Sequence, residues 1–198
     1  MKIICTLFIT IIFSAAALAT QPSIYGENGV VVAHDLEACE AGIEILKKGG
    51  NAVDAAVAVS YALAVTHPQA GNIGGGGFML IHMADGQKVA IDYREMAPGQ
   101  AHRDMFLDDS GKVVPQLSVR GGLAVGVPGT VAGLQLALDK HGSMERKKVM
   151  KPAIKLAQKG FTIPYDLAYS FGDSEMFKGK KKLFILFGAG VVRGLLFI

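Results

Sequence analysis

The pattern of apolar positions predicts alternating helices and strands, organised around residues 51–98. Alanine and valine dominate residues 52–65, and no charged residue follows Asp54 there. A helix with so little polar surface should be buried, and its alanines should allow close approach to a sheet. Asn51 is a good N-cap for this helix, and Pro68 should end it, because the residue before a proline is displaced from the α region.

Two shorter segments precede this helix. Residues 29–33 are rich in valine and predict a first strand. Asp35 can then cap a helix that extends to about Lys48, and Gly49 with Gly50 provides its C-cap. Apolar residues recur at helical spacing along it, at Leu36, Cys39, Ile43 and Leu46.

A glycine-rich loop and a β-hairpin are predicted after the buried helix. Residues 71–77 end in four consecutive glycines, which permit positive φ angles and close backbone approach. Residues 78–82 and 87–92 predict two strands, and the Asp-Gly pair at 85–86 is a strong signal for the turn between them. Arg94 lies just after the second predicted strand.

The pattern is looser beyond the hairpin. Residues 108–111 form a cluster typical of a turn. Thr130 is predicted to cap a helix that runs to Lys140. A further helix should begin at residues 151–152, with proline in its first turn, and end at Gly160.

The composition indicates one folded domain with a core. Of the 198 residues, 51% are hydrophobic and 19% are charged, which argues against disorder. The formal net charge of +3 is too small to imply nucleic-acid binding. Cys5 lies in an apolar leader, so its removal would leave Cys39 without a partner for an internal disulfide. We predict that Cys39 is a buried structural thiol rather than a nucleophile.

Residues 1–19 have the three parts of a signal peptide. Lys2 supplies a positive charge, residues 3–13 are apolar, and residues 17–19 form a small-x-small cleavage site. Cleavage before Thr20 would export the chain, which would then be periplasmic or secreted. The alternative is an N-terminal membrane anchor, although the apolar run is shorter than a full span.

Residues 171–198 depart from the pattern of the preceding domain, which we place at residues 20–170. Lysines at 180–182 precede ten apolar residues at 183–192, too few to cross a bilayer. We expect an out-of-frame or truncated C-terminus. The alternative is a short segment on a membrane surface, with the lysines at the lipid headgroups.

Arg94 is the strongest candidate for a binding residue. A guanidinium can hold a carboxylate through two parallel hydrogen bonds, which the ammonium of a lysine cannot do. The alternative for Arg94 is an ion pair within the chain, to Asp92 or Glu95.

Other motifs do not support nucleotide, metal or serine-hydrolase chemistry. The glycines at 74–77 lack the lysine and Ser/Thr of a phosphate loop, and they follow a predicted helix, unlike a dinucleotide-binding loop. The five histidines show no metal-ligand spacing, so we predict no metal site. No G-x-S-x-G motif occurs.

Three motifs together resemble the γ-glutamyltransferase (glutathione hydrolase) family. They are T-H-P-Q-A-G-N-I-G-G-G-G-F-M at residues 66–79, D-Y-R-E-M-A-P at 92–98 and G-V-P-G-T-V-A-G at 126–133. The resemblance covers about residues 30–167 and corresponds to the N-terminal part of the family's larger subunit. It implies an α/β (α+β) fold, the αββα sandwich of an N-terminal-nucleophile hydrolase, here incomplete.

The resemblance also implies a role for Arg94. In the family, the arginine of this motif holds the α-carboxylate of the γ-glutamyl group. The intact enzymes cleave the γ-glutamyl amide of glutathione through a γ-glutamyl-threonine intermediate, which then reacts with water, an amino acid or a peptide. No metal or organic cofactor is implied. The nucleophilic threonine starts the smaller subunit and Thr20 does not match its motif, so we assign no catalytic residue.

The predicted protein is therefore an exported part of a γ-glutamyltransferase that is inactive alone. Its expected partners are γ-glutamyl compounds such as glutathione, the remainder of the larger subunit and the threonine-bearing smaller subunit, with no nucleic acid. One alternative is a non-catalytic binding module or a degenerate remnant. Another is a membrane-associated protein that uses its tail.

Overall fold

The computed structural model describes residues 23–173. The predicted signal peptide and residues 174–198 of the predicted tail lie outside this range. The chain divides into two compact units, Met1–Val30 and Val31–Ile198. The described part of the first unit, residues 23–30, contains no helix or strand. The elements described below all belong to the second unit.

Two helices begin this unit, and each has the predicted cap. Helix α1 spans Leu36–Lys47, and the Asp35 carboxylate accepts a hydrogen bond from Ala38 N at 2.8 Å. Helix α2 spans Ala52–Thr66, and Asn51 Oδ1 accepts from the amides of Val53 and Asp54 at 2.9 and 3.0 Å. The Asp54 carboxylate in turn accepts from Asn51 N, which completes a capping box.

The buried face of α1 differs from the predicted apolar face. Leu36 is 69% exposed and Ile43 is 38% exposed, and Cys39 is only partly buried. The residues that α1 buries are mostly small: Ala38, Ala41, Gly42 and Ile45. Helix α2 passes so close that a Cβ at Gly42 would lie 2.8 Å from Val59 Cγ2. Close contact between the helices therefore selects small residues over large apolar ones.

The predicted hairpin is confirmed. Strand β1, Phe78–His82, pairs antiparallel with strand β2, Lys88–Asp92, and the turn between them places Gly86 at φ +88°. The strand predicted at residues 29–33 is wrong. Those residues form no strand, because the two strands of the described chain pair only with each other.

The remaining described helices follow a long irregular connection that contains one short 3-10 turn, Gly122–Ala124. They are α3 at Thr130–His141, α4 at Arg146–Val149, α5 at Lys151–Lys159 and α6 at Tyr165–Asp173. Gly160 ends α5 with φ +76°, as predicted. The prediction that Thr130 caps α3 is wrong, because Gly129 is the N-cap and Thr130 is already helical.

The core forms where α2 meets the other helices, so the prediction that α2 is buried is confirmed. Its neighbours are chiefly α1, α3, α4 and α5 rather than the predicted sheet. Fully buried side chains from four helices meet there, namely Ile45, Val57, Leu134 and Val149. The hairpin adds Ile81 and Ile91 from its inner face. No helix within residues 23–173 is long and apolar enough to cross a membrane.

Candidate functional site

Arg94 lies two residues after β2, with its side chain exposed. Its backbone amide donates to Asp92 Oδ1 at 3.0 Å. Within the described residues its guanidinium makes no hydrogen bond or ion pair, so the alternative of an ion pair with Asp92 or Glu95 is not realised. The five donors of this guanidinium face solvent and are free to bind an anion.

The glycine loop packs against the backbone next to Arg94. Tyr93 and Gly77 exchange two backbone hydrogen bonds, at 3.0 and 3.4 Å, which extend the hairpin ladder by one residue pair. A Cβ at Gly76 would lie 2.6 Å from Tyr93 O and 2.7 Å from Glu95 N. The predicted close backbone approach is thus confirmed at Gly76, whereas none of the glycines at 74–77 has a positive φ angle. We call the neighbouring segment, residues 93–96, the arginine segment.

The start of α3 also packs against the arginine segment. Met96 and Val127 exchange backbone hydrogen bonds of 3.2 and 2.8 Å. A Cβ at Gly129 would overlap the carbonyl of Tyr93. The glycine loop and the start of α3 therefore both contact the arginine segment at backbone distance, and they meet at the carbonyl of Tyr93.

The amides at the start of α3 are already occupied. Gly129 N and Thr130 N both donate to Gly75 O, at 2.9 and 3.0 Å. The Thr130 hydroxyl, which we predicted to cap the helix, instead donates to Asn72 O at 3.4 Å. Two amides at this helix N-terminus therefore hold the loop carbonyl, and Arg94 lies on the adjacent arginine segment.

Tyr93 packs its ring against α3. A Cβ at Gly133 would overlap the Cβ, Cγ and Cδ1 atoms of Tyr93. The ring is half-buried, and burial raises the pKa of Tyr93 above its usual value, so the phenol stays uncharged at neutral pH. Sequence reasoning did not select Tyr93 or Gly133. Gly133 stands in the motif at residues 126–133, but no local pattern there points to Tyr93.

Two of the histidines stack on each other. His34 and His67 stack with ring centroids 3.7 Å apart and ring planes 27° apart. Burial lowers the pKa of His67, as does His34, while Asp35 and Asp166 act in the opposite direction. No group of three or more His, Cys, Asp or Glu residues in the described part of the chain could hold a metal ion.

Comparison with known families gives one match over most of the chain. The family model described as Gamma-glutamyltranspeptidase matches residues 38–192. The glutathione hydrolase proenzyme of Escherichia coli K12 is 55% identical over 168 residues, 79% of this chain and 29% of the relative. The proenzyme of the same name from Pseudomonas aeruginosa is 44% identical over 186 residues, which cover 92% of this chain and 33% of the relative. The chain thus spans about a third or less of the length of these relatives.

Solved structures give the same result. The gamma-glutamyltranspeptidase of Helicobacter pylori superposes with a TM-score of 0.72 at 46% identity, over 85% of this chain and 47% of that one. The enzyme of the same name from Pseudomonas nitroreducens, complexed with L-DON, gives a TM-score of 0.76 at 44% identity. That match covers 84% of this chain and 50% of the solved chain.

Proposed function

Because the chain belongs to the gamma-glutamyltranspeptidase family, we propose that Arg94 binds the α-carboxylate of a γ-glutamyl compound such as glutathione. The proposed reaction of the assembled enzyme is cleavage of the γ-glutamyl amide, with transfer of the γ-glutamyl group to water, an amino acid or a peptide.

Family membership confirms the resemblance seen in the three sequence motifs. It also confirms the fold class, since the matching solved structures are gamma-glutamyltranspeptidases, which have the N-terminal-nucleophile hydrolase fold. The mixture of helices with one small sheet is consistent with an incomplete α/β fold of this kind.

The observation that most directly supports the role of Arg94 is its exposed guanidinium without a partner among the described residues. A planar fork of N–H donors matches the two oxygens of a carboxylate. The backbone that carries it is held by hydrogen bonds and close contacts to the glycine loop and to the start of α3. An unpaired charge on a fixed backbone costs little to reorganise when a ligand arrives.

Turnover requires groups that we do not assign to this chain. A γ-glutamyl-threonine route needs a threonine nucleophile, a base and donors for the tetrahedral oxyanion. We propose that these come from the remainder of the larger subunit and from the threonine-bearing smaller subunit. The second candidate function is binding of γ-glutamyl compounds without catalysis, which the same arginine favours.

Replacement of Arg94 by lysine tests the proposed role. Arg94→Lys keeps the charge but loses the fork, and a charge-assisted hydrogen bond contributes about 1.5–3 kcal/mol. We expect the dissociation constant of glutathione, measured calorimetrically on the 198-residue chain, to rise about 10- to 100-fold.

Arg103→Lys is the matched control, because Arg103 is also an exposed arginine and already pairs with Asp104 at 2.8 Å. We expect it to leave the dissociation constant unchanged. Equal affinity of Arg94→Lys and the unaltered chain would remove Arg94 from the binding site.

We also propose that the chain is exported and that its leader is cleaved between Ala19 and Thr20. The support is the order of a charged start, an apolar run and a small-x-small site within residues 1–19. Mass spectrometry of the periplasmic or secreted protein should give a mature chain that begins at Thr20. A mature chain that still carries residues 3–13 would favour the membrane anchor instead.

A further inference from the structure

We infer that Tyr93 and Gly133 are positioning residues that determine the direction in which Arg94 presents its guanidinium. The inference rests on the proposed carboxylate-binding role of Arg94. It adds a determinant of selectivity that lies on α3, outside the D-Y-R-E-M-A-P motif.

The side-chain directions of Tyr93 and Arg94 are coupled, because the two residues are adjacent on an extended segment. The Gly77–Tyr93 hydrogen bonds continue the β1–β2 ladder, in which Phe78 pairs with Asp92. Successive side chains on such a segment point to opposite sides. Exposure follows this rule, because Tyr93 is half-buried and its neighbours Asp92 and Arg94 are exposed. The side on which the Tyr93 ring is held therefore determines the side to which Arg94 points.

Gly133 supplies the space that holds the ring. It is buried in α3, and all three atoms nearest to a Cβ added there belong to Tyr93. The ring also contacts the glycine loop, since a Cβ at Gly77 would lie 3.1 Å from Tyr93 Cε2. A methyl group at residue 133 must therefore displace the ring, and the displaced ring moves the backbone that leads into Arg94.

The effect on a ligand should be on selectivity more than on folding. A fork held in one direction distinguishes a carboxylate, which accepts both of its hydrogen bonds, from a primary amide, which offers one oxygen and a donor. A fork that samples several directions loses the geometric part of this distinction, and only its charge then favours the carboxylate over the neutral amide. The relevant measurement is the ratio of affinities for glutathione and for its analogue with the γ-glutamyl α-carboxylate converted to an amide.

The experiment measures this ratio calorimetrically on the full 198-residue chain. The unaltered chain should prefer glutathione by about 10- to 100-fold, the value of one or two charge-assisted bonds. Gly133→Ala should reduce the preference at least tenfold. Val149→Ala is the control, since Val149 is fully buried in the core on α4. A smaller folded fraction weakens the apparent binding of both ligands equally. The ratio of affinities for Val149→Ala should therefore equal that of the unaltered chain.

If Gly133→Ala does not fold, Tyr93→Ala and Tyr93→Phe test the positioning role instead. Tyr93→Ala needs no additional space and should also reduce the ratio, whereas Tyr93→Phe retains the ring and should preserve it. An unchanged ratio in Tyr93→Ala, or in folded Gly133→Ala, would overturn the positioning role.

Arg94→Ala, which removes both the charge and the fork, separates this inference from the proposed function. If Arg94→Ala abolishes the preference and Tyr93→Ala does not, only the positioning role is wrong. If Arg94→Ala keeps the preference, or if the unaltered chain binds neither ligand, the carboxylate-binding role itself fails and the inference fails with it.

Discussion

At the scale of single residues, the Asp54 side chain connects the start of α2 to the turn after α3. Its carboxylate is fully buried and accepts from Asn51 N at 2.8 Å, Ser143 N at 3.1 Å, Ser143 Oγ at 2.6 Å and Met144 N at 3.1 Å. These bonds join the start of α2 to the turn after α3. A buried carboxylate requires such compensation, because an unpaired charge in the core is costly.

Asp54→Ala should destabilise the chain strongly, because it removes the buried acceptor that Asn51, Ser143 and Met144 share. Each lost bond to a charged group contributes about 1.5–3 kcal/mol, so we expect a loss of about 3 kcal/mol or more. For a domain of this size that corresponds to a decrease in Tm of about 6–12 °C, measurable by thermal denaturation. Asp109→Ala at an exposed position should change the Tm by about 2 °C or less. A small effect of Asp54→Ala would contradict this account.

The sequence predicted only the Asn51 cap in this network. Asn51 and Asp54, three residues apart, also form a capping box, which was not predicted. Ser143 and Met144 lie almost ninety residues further along the chain. No local pattern identifies a partner that is brought close only by tertiary packing. The same reason explains why Arg94 was found from its motif, whereas Gly133 was not.

At the scale of elements, the β-hairpin has one covered face and one exposed face. Ile81 and Ile91 are buried towards the helices, while Phe78 is 63% exposed and Leu80 is 84% exposed. In the described chain the sheet has two strands, so each strand also has a free edge. Free edges beside an apolar face promote association between copies of a chain.

Leu80→Glu should therefore reduce self-association without loss of stability. Leu80 is mostly exposed, and substitutions at such positions change the free energy of unfolding by about 0.5 kcal/mol or less. Sedimentation velocity over a range of concentrations should show fewer oligomers than for the unaltered chain. Ile81→Glu, one residue further and 9% exposed, places a charge in the core and should unfold the chain. Equal association of Leu80→Glu and the unaltered chain would exclude this face as the cause.

The hairpin and α1 show why the bounds of helices and strands were easier to predict than the residues that they bury. Alternation and the Asp-Gly turn determine the hairpin locally, and its bounds agree with the prediction to within one residue. The buried face of α1 depends on how closely α2 approaches at Gly42. That distance is a property of the pair of helices, so the apolar spacing of α1 alone indicated the wrong face.

At the scale of the whole molecule, we expect binding of glutathione without its hydrolysis. Arg94 would hold the carboxylate equally in the ground state and in the transition state, and such uniform binding does not accelerate chemistry. Purified residues 20–198 should therefore release no glutamate from glutathione, with the Escherichia coli relative as the positive control. Turnover by the purified chain would contradict this prediction and would require a nucleophile among its own residues.

The hydrogen bonds to the Gly75 carbonyl come from distant residues and form late in folding. The arginine segment therefore reaches its final structure late. The Gly75 carbonyl accepts hydrogen bonds from residues 129 and 130, whereas α1 and α2 are joined by only a few residues. Closing a longer loop costs more conformational entropy, and distant contacts slow folding. During synthesis the N-terminal helices can pair first, while the orientation of Arg94 must wait until α3 has emerged. A nascent chain that has not yet reached residue 133 would carry the arginine but could not hold it in position.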